Sequence, residues 1–241
     1  MTISALVVIM ILVVIQSIYG AGLLIFGVPF LIIIGLDYLD IIGLLLPSSI
    51  IISILQLFKN QKIKSSELKI LPFAILGIII GLSVSVFAFK SNVPPMTIGG
   101  LMLLATLLRT NTLIRRYMVG FLIKHRLIFH IMNAIFHGFS NLGGIFLTFY
   151  STSVYEEKIY SMHCTALFYL VYAASQVIVL FCIGKGDIFQ AGLFYIPGTA
   201  LLYLLLGQRT LNFISQHQFD TVATVFFFSV GLIFLFGPII S

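Results

Sequence analysis

Charged residues are scarce in this chain. Asp, Glu, Lys and Arg make up 8% of its 241 residues, whereas 60% are hydrophobic. Soluble domains usually carry about 25% charged residues, so a soluble fold of this composition could not cover its own surface. The composition predicts a polytopic membrane protein. The net charge of +6 does not indicate nucleic-acid binding, because the basic residues lie in short connections between apolar segments, where they set membrane topology.

Cysteine is also rare. Cys164 and Cys182 are the two in the chain, and both fall in one predicted helix. Their separation corresponds to roughly 27 Å along a helix, which is too far for a disulfide bond within the chain. The sequence therefore predicts no disulfide framework.

The first apolar run, from Ile3 to Leu36, carries no charge and is longer than one membrane crossing. One crossing needs roughly 20 residues. Gly20, Gly22, Gly27 and Pro29 lie where a break would divide the run, because glycine relaxes the backbone and proline kinks a helix. Irregular backbone inside a membrane is tolerated only where it is buried in protein or lines a cavity. The pattern therefore predicts a broken helix at a transporter binding site.

A similar stretch occurs about 120 residues later. Residues 133–147 again form an apolar run, interrupted by Asn141, Gly143 and Gly144 among other small or polar residues. Two related stretches near the starts of two halves indicate an internal duplication. We therefore expect an all-α, polytopic integral membrane protein with about eight transmembrane helices in two four-helix repeats. Helices 1 and 5 of this arrangement are broken at the Gly-rich stretches.

The expected domains are a first transmembrane repeat at 1–112, a basic cytoplasmic connection at 113–126 and a second transmembrane repeat at 127–241. Apolar segments are predicted at about 3–36, 41–58, 70–89, 96–108, 127–152, 159–183, 188–206 and 219–240.

Basic residues concentrate on one predicted side of the membrane. If segments 1 and 5 each cross once, loops 59–69, 109–126 and 184–186 share a side that holds ten of the thirteen lysines and arginines. That side is then cytoplasmic, as are both termini. If these segments instead cross twice, as broken hairpins, both termini move outside and the halves become inverted repeats. Charge counting does not separate the alternatives. Eight principal helices are favoured, with segments 1 and 5 broken or partly re-entrant.

Ionisable residues are nearly absent from the apolar segments, which argues against a pump with buried carboxylates and against a channel with an acidic ring. An anion could still be held by the N-terminal ends of broken helices, each with a partial charge of about +0.5. Small polar side chains would supply further donors. The candidate substrate-binding residues are Gln16, Ser17, Gly20, Gly22, Ser48, Ser49, Asn133, His137, Ser140, Asn141, Gly143, Gly144 and Thr165.

The sequence carries no signal of an enzyme, a metal site or a cofactor. His130 and His137 share a helix face but lie two turns apart, which is a poor metal pair. No nucleophile–base–acid arrangement and no phosphate-binding loop occurs. His137 is a candidate for proton coupling, because histidine has an unperturbed pKa of about 6.5. Its alternative role is a hydrogen bond between helices.

Three motifs resemble the TauE/SafE (sulfite exporter) family of membrane transporters. The run from Gly20 to Leu31 is similar to the family's first-repeat signature, a glycine cluster followed by apolar residues, proline and leucine. Pro47-Ser48-Ser49 resembles a small-polar stretch in the second helix, and Asn141-Leu142-Gly143-Gly144 resembles the second-repeat glycine cluster. The order of elements is similar along nearly the whole chain. Phe149-Tyr150-Ser151 departs from the family, which has a clearer proline there.

The resemblance implies transport of small anions, often sulfur-containing oxyanions or organosulfonates, across the plasma membrane of a prokaryote. We expect a multi-pass secondary transporter in the lipid bilayer, with alternating access around a site between the two repeats. Proton or sodium coupling and assembly into a homo-oligomer stay open. The alternatives are a non-transporting membrane subunit of a larger complex, which the short loops disfavour, and an intramembrane enzyme, for which only scattered histidines are present.

Overall fold

A computed structural model of the chain describes residues 3–58, 63–89, 93–155, 157–207 and 215–240. Within these ranges the secondary structure is helical and contains no strand, so the all-α prediction is confirmed there. The α-helices are α1 Ile3–Tyr19, α2 Leu23–Ile33, α3 Tyr38–Phe58, α4 Ser65–Leu68, α5 Leu71–Ser83, α6 Pro95–Thr110, α7 Thr112–Lys124, α8 Arg126–Ser140, α9 Gly143–Val154, α10 Lys158–Cys182, α11 Gln190–Leu202 and α12 Gln216–Ile240. Short π-helical stretches continue α5 at Val84–Ala88 and α11 at Tyr203–Gly207, and a 3-10 turn at Gly186–Phe189 precedes α11.

Five stretches of the described chain are long and apolar enough to cross a membrane, which supports a membrane protein. They are Tyr38–Phe58, Leu71–Ala88, Lys158–Cys182, Gly186–Leu206 and Asp220–Gly237. A sixth candidate is the pair α6–α7, which bends by 100° between its two helices. The apolar parts of α1 and α2 are shorter than a crossing. The number of eight crossings and the two repeats stay predictions.

The predicted basic connection at 113–126 is largely helical. Asn111 caps α7, because its side-chain oxygen accepts a hydrogen bond from the Ile114 N–H at 3.0 Å. Arg115, Arg116 and Lys124 are exposed on this helix. The charged residues of this stretch predict contact with water. A helix with exposed charged side chains provides that contact as well as a loop does. Two basic residues of the neighbouring predicted loop, Lys59 and Lys62, lie outside the described residues.

Helix α2 folds back along α1. An ideal Cβ on Gly22 would lie 2.7 Å from the Gln16 nitrogen, and one on Gly27 would lie 3.0 Å from Leu12 Cδ1. Residues further along α2 therefore contact residues earlier in α1. We call residues 3–33 hairpin 1 and residues 20–22 tip 1.

Helices α8 and α9 are arranged in the same way. The ring centroids of Phe136 and Phe146 are 6.5 Å apart, and further from the turn Phe129 stacks on Tyr150 at 5.1 Å. We call residues 126–154 hairpin 2 and residues 141–144 tip 2.

The long helices enclose the two hairpins. Helix α5 lies along α8, where an ideal Cβ on Gly77 would come 2.8 Å from the Ala134 Cβ. The Gly77–Gly81 spacing predicts this close approach. Helix α6 runs antiparallel to α12, with contacts from Gly99 to Gly231 and from Arg109 to Asp220. Helices α3 and α10 pack against each other and against hairpin 1, and α10 also packs against hairpin 2.

Candidate functional site

All thirteen candidate site residues are buried. They lie in the two tips, in the helix turns beside them and on the facing helices α3 and α10. Buried polar groups normally have hydrogen-bond partners. The hydrogen-bond partners of these buried polar atoms therefore distinguish the two tips.

Tip 1 is closed by the protein's own side chains. Gln16 Oε1 accepts a hydrogen bond from the Leu23 N–H at 3.1 Å and so caps the start of α2. Gln16 Nε2 donates to both the carbonyl and the hydroxyl oxygen of Ser49 at 3.3 Å. Gln56 Nε2 donates to the carbonyl oxygens of Gln16 at 2.8 Å and Ser17 at 3.4 Å. The Leu23 N–H and the Ser17 carbonyl lie at helix ends, where backbone groups lack a partner within the helix, whereas the Gln16 carbonyl also accepts from the Gly20 N–H at 2.9 Å.

Gly20 allows tip 1 to pack closely against α10. It has a φ of +76°, a conformation that favours glycine, and an ideal Cβ there would lie 2.6 Å from the Met162 carbonyl oxygen and 3.2 Å from Thr165 Cβ. The Thr165 hydroxyl is already bonded, at 2.8 Å to the hydroxyl of Ser151 and at 2.9 Å to the carbonyl of Ser161. Thr165 therefore has a structural role at this contact.

Two further candidate serines donate within their own helices. The Ser17 hydroxyl donates to the Val13 carbonyl at 2.7 Å, and the Ser140 hydroxyl donates to the Phe136 carbonyl at 2.8 Å. Such bonds are the ordinary state of serine in a membrane helix. The Ser140 hydroxyl also accepts from the Leu142 N–H of tip 2 at 3.3 Å.

Tip 2 turns at Asn141, which adopts the left-handed conformation with a φ of 59°. Its Nδ2 donates to the Tyr38 hydroxyl at 2.9 Å, and that hydroxyl donates to the Phe139 carbonyl at 3.0 Å. Tyr38, at the start of α3, thus holds the turn in place. Asparagine tolerates this conformation better than most residues, which explains why the tip 2 turn does not need glycine at position 141.

Several buried polar atoms around tip 2 have no hydrogen-bond partner among the described residues. They include both ring nitrogens of His137, the side-chain oxygens of Asn133 and Asn141, and the Tyr169 hydroxyl. The His137 ring lies against Tyr169 and Tyr172, with centroids 5.5 Å and 4.8 Å away. Asn133 uses only its Nδ2, which donates to the Tyr172 hydroxyl at 3.2 Å.

The facing helices add similar groups. In the described part of the chain, the hydroxyls of Ser48 and Ser53 on α3 and both amide atoms of Gln176 on α10 are buried and unpartnered. Unpartnered buried polar groups are costly in a fold. Their concentration around tip 2, α3 and α10 marks this region as able to hydrogen-bond a polar ligand.

The two tips meet at the first turn of α9. Gly144 packs on the Tyr169 hydroxyl, and an ideal Cβ on Gly144 would lie 2.8 Å from Ile25 Cγ1 in the first turn of α2. Thr165 and Tyr169 are one turn apart on α10, so α10 contacts both tips. The N-terminal turns of α2 and α9 therefore lie side by side in the interior. N-terminal turns carry partial positive charge.

Glu67 was not identified from the sequence. It lies in α4, is 1% exposed, and accepts hydrogen bonds at Oε1 from the hydroxyls of Tyr155 at 2.7 Å and Tyr150 at 3.1 Å. Its Oε2 is 3.6 Å from Nε2 of His130. Burial, and in addition the neighbouring Glu67 carboxylate, raise the pKa of Tyr155, so this hydroxyl stays protonated and able to donate.

Arg109 and Asp220 form an ion pair at 2.6 Å between the ends of α6 and α12. Arg109 Nη2 also donates to the Thr148 hydroxyl on α9 at 3.2 Å. The pair lines an open cavity of about 330 Å³ together with Arg115 and His217. This contact joins hairpin 2 to α6 and α12.

Comparison with known proteins identifies no relative of the chain. No family model matches it, and neither a curated protein nor a solved structure matches it. The resemblance to the TauE/SafE family therefore rests on the sequence motifs alone.

Proposed function

We propose that hairpins 1 and 2 are re-entrant and enter the membrane from opposite sides. Six elements would then cross it: α3, α5 with its π-helical extension, α6, α10, α11 with its extension, and α12. The antiparallel contacts within each hairpin support this, because the two arms of a hairpin return the chain to the side it came from. Three crossings separate the hairpins, so the second hairpin would start on the opposite side.

The order of elements supports an inverted duplication. Each half consists of a hairpin, a long helix, a helix that ends in a π-helical stretch, and a further helix. The π-helical stretches Val84–Ala88 and Tyr203–Gly207 occupy the same place in the two halves. Because π-helix accounts for well under 1% of residues in proteins, its recurrence favours a common origin of the halves.

The basic residues support an orientation. In this topology Lys64, Lys69, Arg115, Arg116 and Lys124 lie on one side, whereas Lys185 lies on the other with Asp37, Asp40 and Asp187. The positive-inside rule makes the first side cytoplasmic. Hairpin 2 would then enter from the cytoplasm and hairpin 1 from outside.

We propose that the chain is a secondary transporter of small anions. The observation that carries this proposal is the meeting of the N-terminal turns of α2 and α9 at Ile25 and Gly144, beside unpartnered buried polar groups on α8 and α10. Helix N-termini favour anions, and paired broken segments near the midplane are the usual site of transport. The motif resemblance suggests sulfur-containing oxyanions or organosulfonates as substrates.

The chemistry of such a site is limited to hydrogen bonds and helix dipoles. The Tyr169 hydroxyl, the Gln176 amide and the Ser48 hydroxyl can donate to an anion's oxygens. None of the thirteen candidate residues is lysine or arginine, so the anion would be held loosely enough to be released. Rocking of one half against the other would expose the tips to each side in turn.

Uptake into proteoliposomes tests this proposal. We would offer sulfite, sulfate, thiosulfate, methanesulfonate and acetate, with and without a pH gradient, to wild type and to the double variant Tyr169→Phe/Gln176→Leu. The control is Ser175→Ala, whose hydroxyl donates to the Val171 carbonyl of its own helix at 2.7 Å. We expect saturable uptake of one anion by wild type and the control, and at least a tenfold loss in the double variant. No uptake of any of these anions by folded protein, or full uptake by the double variant, would contradict the proposal.

A further inference from the structure

Glu67 is a buried acid that the binding site described above does not use. Its Oε1 is satisfied by two tyrosine hydroxyls, whereas its Oε2 faces the His130 ring at 3.6 Å. Among the described residues, Oε2 and both ring nitrogens of His130 have no hydrogen-bond partner. The His130 ring is fixed by stacking on Phe168, with centroids 4.1 Å apart. An acid and a base thus face each other across a gap that one proton would bridge.

We propose that Glu67 and His130 form a proton-binding site through which cytoplasmic pH controls anion transport; the control of transport rests on the transport function proposed above. One proton from the cytoplasmic solution binds between Glu67 Oε2 and His130 Nε2, and the same proton returns to the cytoplasmic solution when the site releases it. No other bond forms or breaks. In the bound state Glu67 is a carboxylic acid whose Oε2 hydroxyl donates to the neutral His130 ring.

A proton fits this site better than a metal cation. Both tyrosine hydroxyls donate to Glu67, so their hydrogens rather than their lone pairs point at the carboxylate. In the described part of the chain, no three His, Cys, Asp or Glu side chains gather as metal ligands. A site with one carboxylate and one imidazole has too few ligands for the tetrahedral or octahedral sets that proteins use.

The surrounding groups set the charge that the site experiences. Lys64 on the same connection lies 4.6 Å from the centre of the Tyr155 ring, and Arg126 lies one turn before His130 on α8. These two side chains contribute positive charge near the pair. The buried Cys164 thiol on α10 also faces Glu67 and Tyr155. Tyr150 on α9 completes the shell.

Glu67 contacts both arms of hairpin 2, so a change in its protonation can affect tip 2 through these arms. His130 lies on α8, and Tyr150 lies on α9. His130, Asn133 and His137 follow one another along α8, the last of them in the turn before the tip, roughly 10 Å from His130 at 1.5 Å per residue. A proton shared by Glu67 and His130 would fasten α8 to α4, and its loss would release that arm. Binding at the tip and protonation at the base are in this way linked through one rigid hairpin.

Infrared titration of the purified protein, with no anion added, tests the proton site directly. We expect wild type to show a carboxylic-acid carbonyl band that titrates with pH. The band should be missing in Glu67→Gln, an isosteric change that keeps an acceptor for the tyrosines, and should persist in the control Glu157→Gln, whose side chain is exposed. An unchanged band in Glu67→Gln would overturn the proposal. If that variant does not fold, His130→Gln replaces it. The midpoint of the band should then move by about one pH unit or more, and an unmoved midpoint would overturn the proposal.

Exchange of labelled for unlabelled panel anion, with the same pH on both sides of the membrane, tests the control of transport. We expect the exchange rate of wild type to change with pH, whereas Glu67→Gln should exchange the anion at a rate that does not depend on pH over the same range. Glu157→Gln should keep the pH dependence of wild type. The wild-type pH dependence in Glu67→Gln would overturn the control. If no anion is transported by wild type, the transport proposal fails by itself, and the infrared titration still decides whether Glu67 binds a proton.

Discussion

Both hairpin tips interrupt helical backbone hydrogen bonding, and the two turns are held by different side chains. At tip 1, Gln16 and Gln56 bond the exposed backbone groups of the turn, and Ser49 in turn holds Gln16. At tip 2, Tyr38 holds the turn from outside, while His137 and its neighbours keep unpartnered polar atoms. The turn of tip 1 is therefore bonded by neighbouring side chains, with Gln56 Oε1 left without a partner among the described residues, whereas more polar atoms around tip 2 lack one.

This difference indicates different roles for the two hairpins. A tip whose turn is already bonded by its neighbours has fewer groups to offer a ligand, and it suits a fixed support. A tip with spare donors and acceptors can bind a ligand without breaking an existing bond. We therefore expect substitutions at tip 1 to lower stability and substitutions around tip 2 to lower transport.

The largest effect is expected where tip 2 meets α10. In Gly144→Ala the new methyl group would overlap the Tyr169 hydroxyl and press on Ile25. Overpacking of this kind costs about 1–3 kcal/mol or more, so the thermal midpoint in detergent should fall clearly. The control is Gly100→Ala, where an added Cβ meets nothing within 4 Å. Adding Tyr169→Phe to Gly144→Ala should restore part of the loss. Equal midpoints for the two single variants would mean that Gly144 does not pack on Tyr169.

Gln16→Ala is the next test, at tip 1. It removes the cap of α2 and the two bonds to Ser49, and unsatisfied buried groups cost about 1–3 kcal/mol. Thermal unfolding should show this loss, while KM for the transported anion stays at the wild-type value. Ser17→Ala is the matched control, because its hydroxyl bonds only to its own helix. A raised KM with unchanged stability would reverse the assignment and make Gln16 a binding residue.

Tyr169→Phe tests tip 2. Loss of one hydrogen bond to the anion, worth about 1.4 kcal/mol, would lower uptake about tenfold. Stability should be unchanged, because the Tyr169 hydroxyl has no partner in the described part of the protein. Tyr172→Phe should show the opposite pattern, since its hydroxyl accepts from Asn133. Anion uptake and thermal unfolding should be measured on both variants. If both variants changed uptake and stability in the same way, Tyr169 would not be distinguished from Tyr172 as an anion-binding residue.

Ser48→Ala is expected to have the smallest effect. Its buried hydroxyl lacks a partner among the described residues, whereas that of the adjacent Ser49 accepts from Gln16. A weak hydrogen bond of about 0.5 kcal/mol corresponds to about a twofold loss of uptake, with no loss of stability. Ser49→Ala should instead lower stability slightly and leave uptake alone. A twofold change in the Ser49 variant only would place the anion nearer to tip 1.

The sequence predicts part of this architecture because local rules govern it. Glycine at 20 and asparagine at 141 mark left-handed backbone, and long apolar runs mark helices. The polar candidates are buried, yet residue type does not reveal that Gln16 is satisfied and His137 is not. That distinction depends on partners such as Leu23 and Ser49, which lie on other elements and bond Gln16.

Other features could not be predicted from the sequence, for physical reasons. Glu67 lies between Lys64 and Lys69, a pattern typical of a solvated loop, and it is buried only because Tyr150 and Tyr155 reach it from a distant part of the chain. Tyr169 is indistinguishable from a packing aromatic within an apolar helix. Charge counting fits a crossing helix and a re-entrant hairpin equally well, because either places loops 59–69 and 109–126 on the basic side.

The re-entrant topology is most directly tested by labelling single cysteines at the two ends of hairpin 2. Lys124→Cys and Glu157→Cys, both exposed positions, would be made in a background with Cys164→Ala and Cys182→Ser and treated with a membrane-impermeant maleimide on intact cells. The hairpin predicts that both stay unlabelled until the membrane is permeabilised, while Asp187→Cys is labelled from outside. Labelling of position 157 but not position 124 in intact cells would show that the segment crosses once, and would contradict the account.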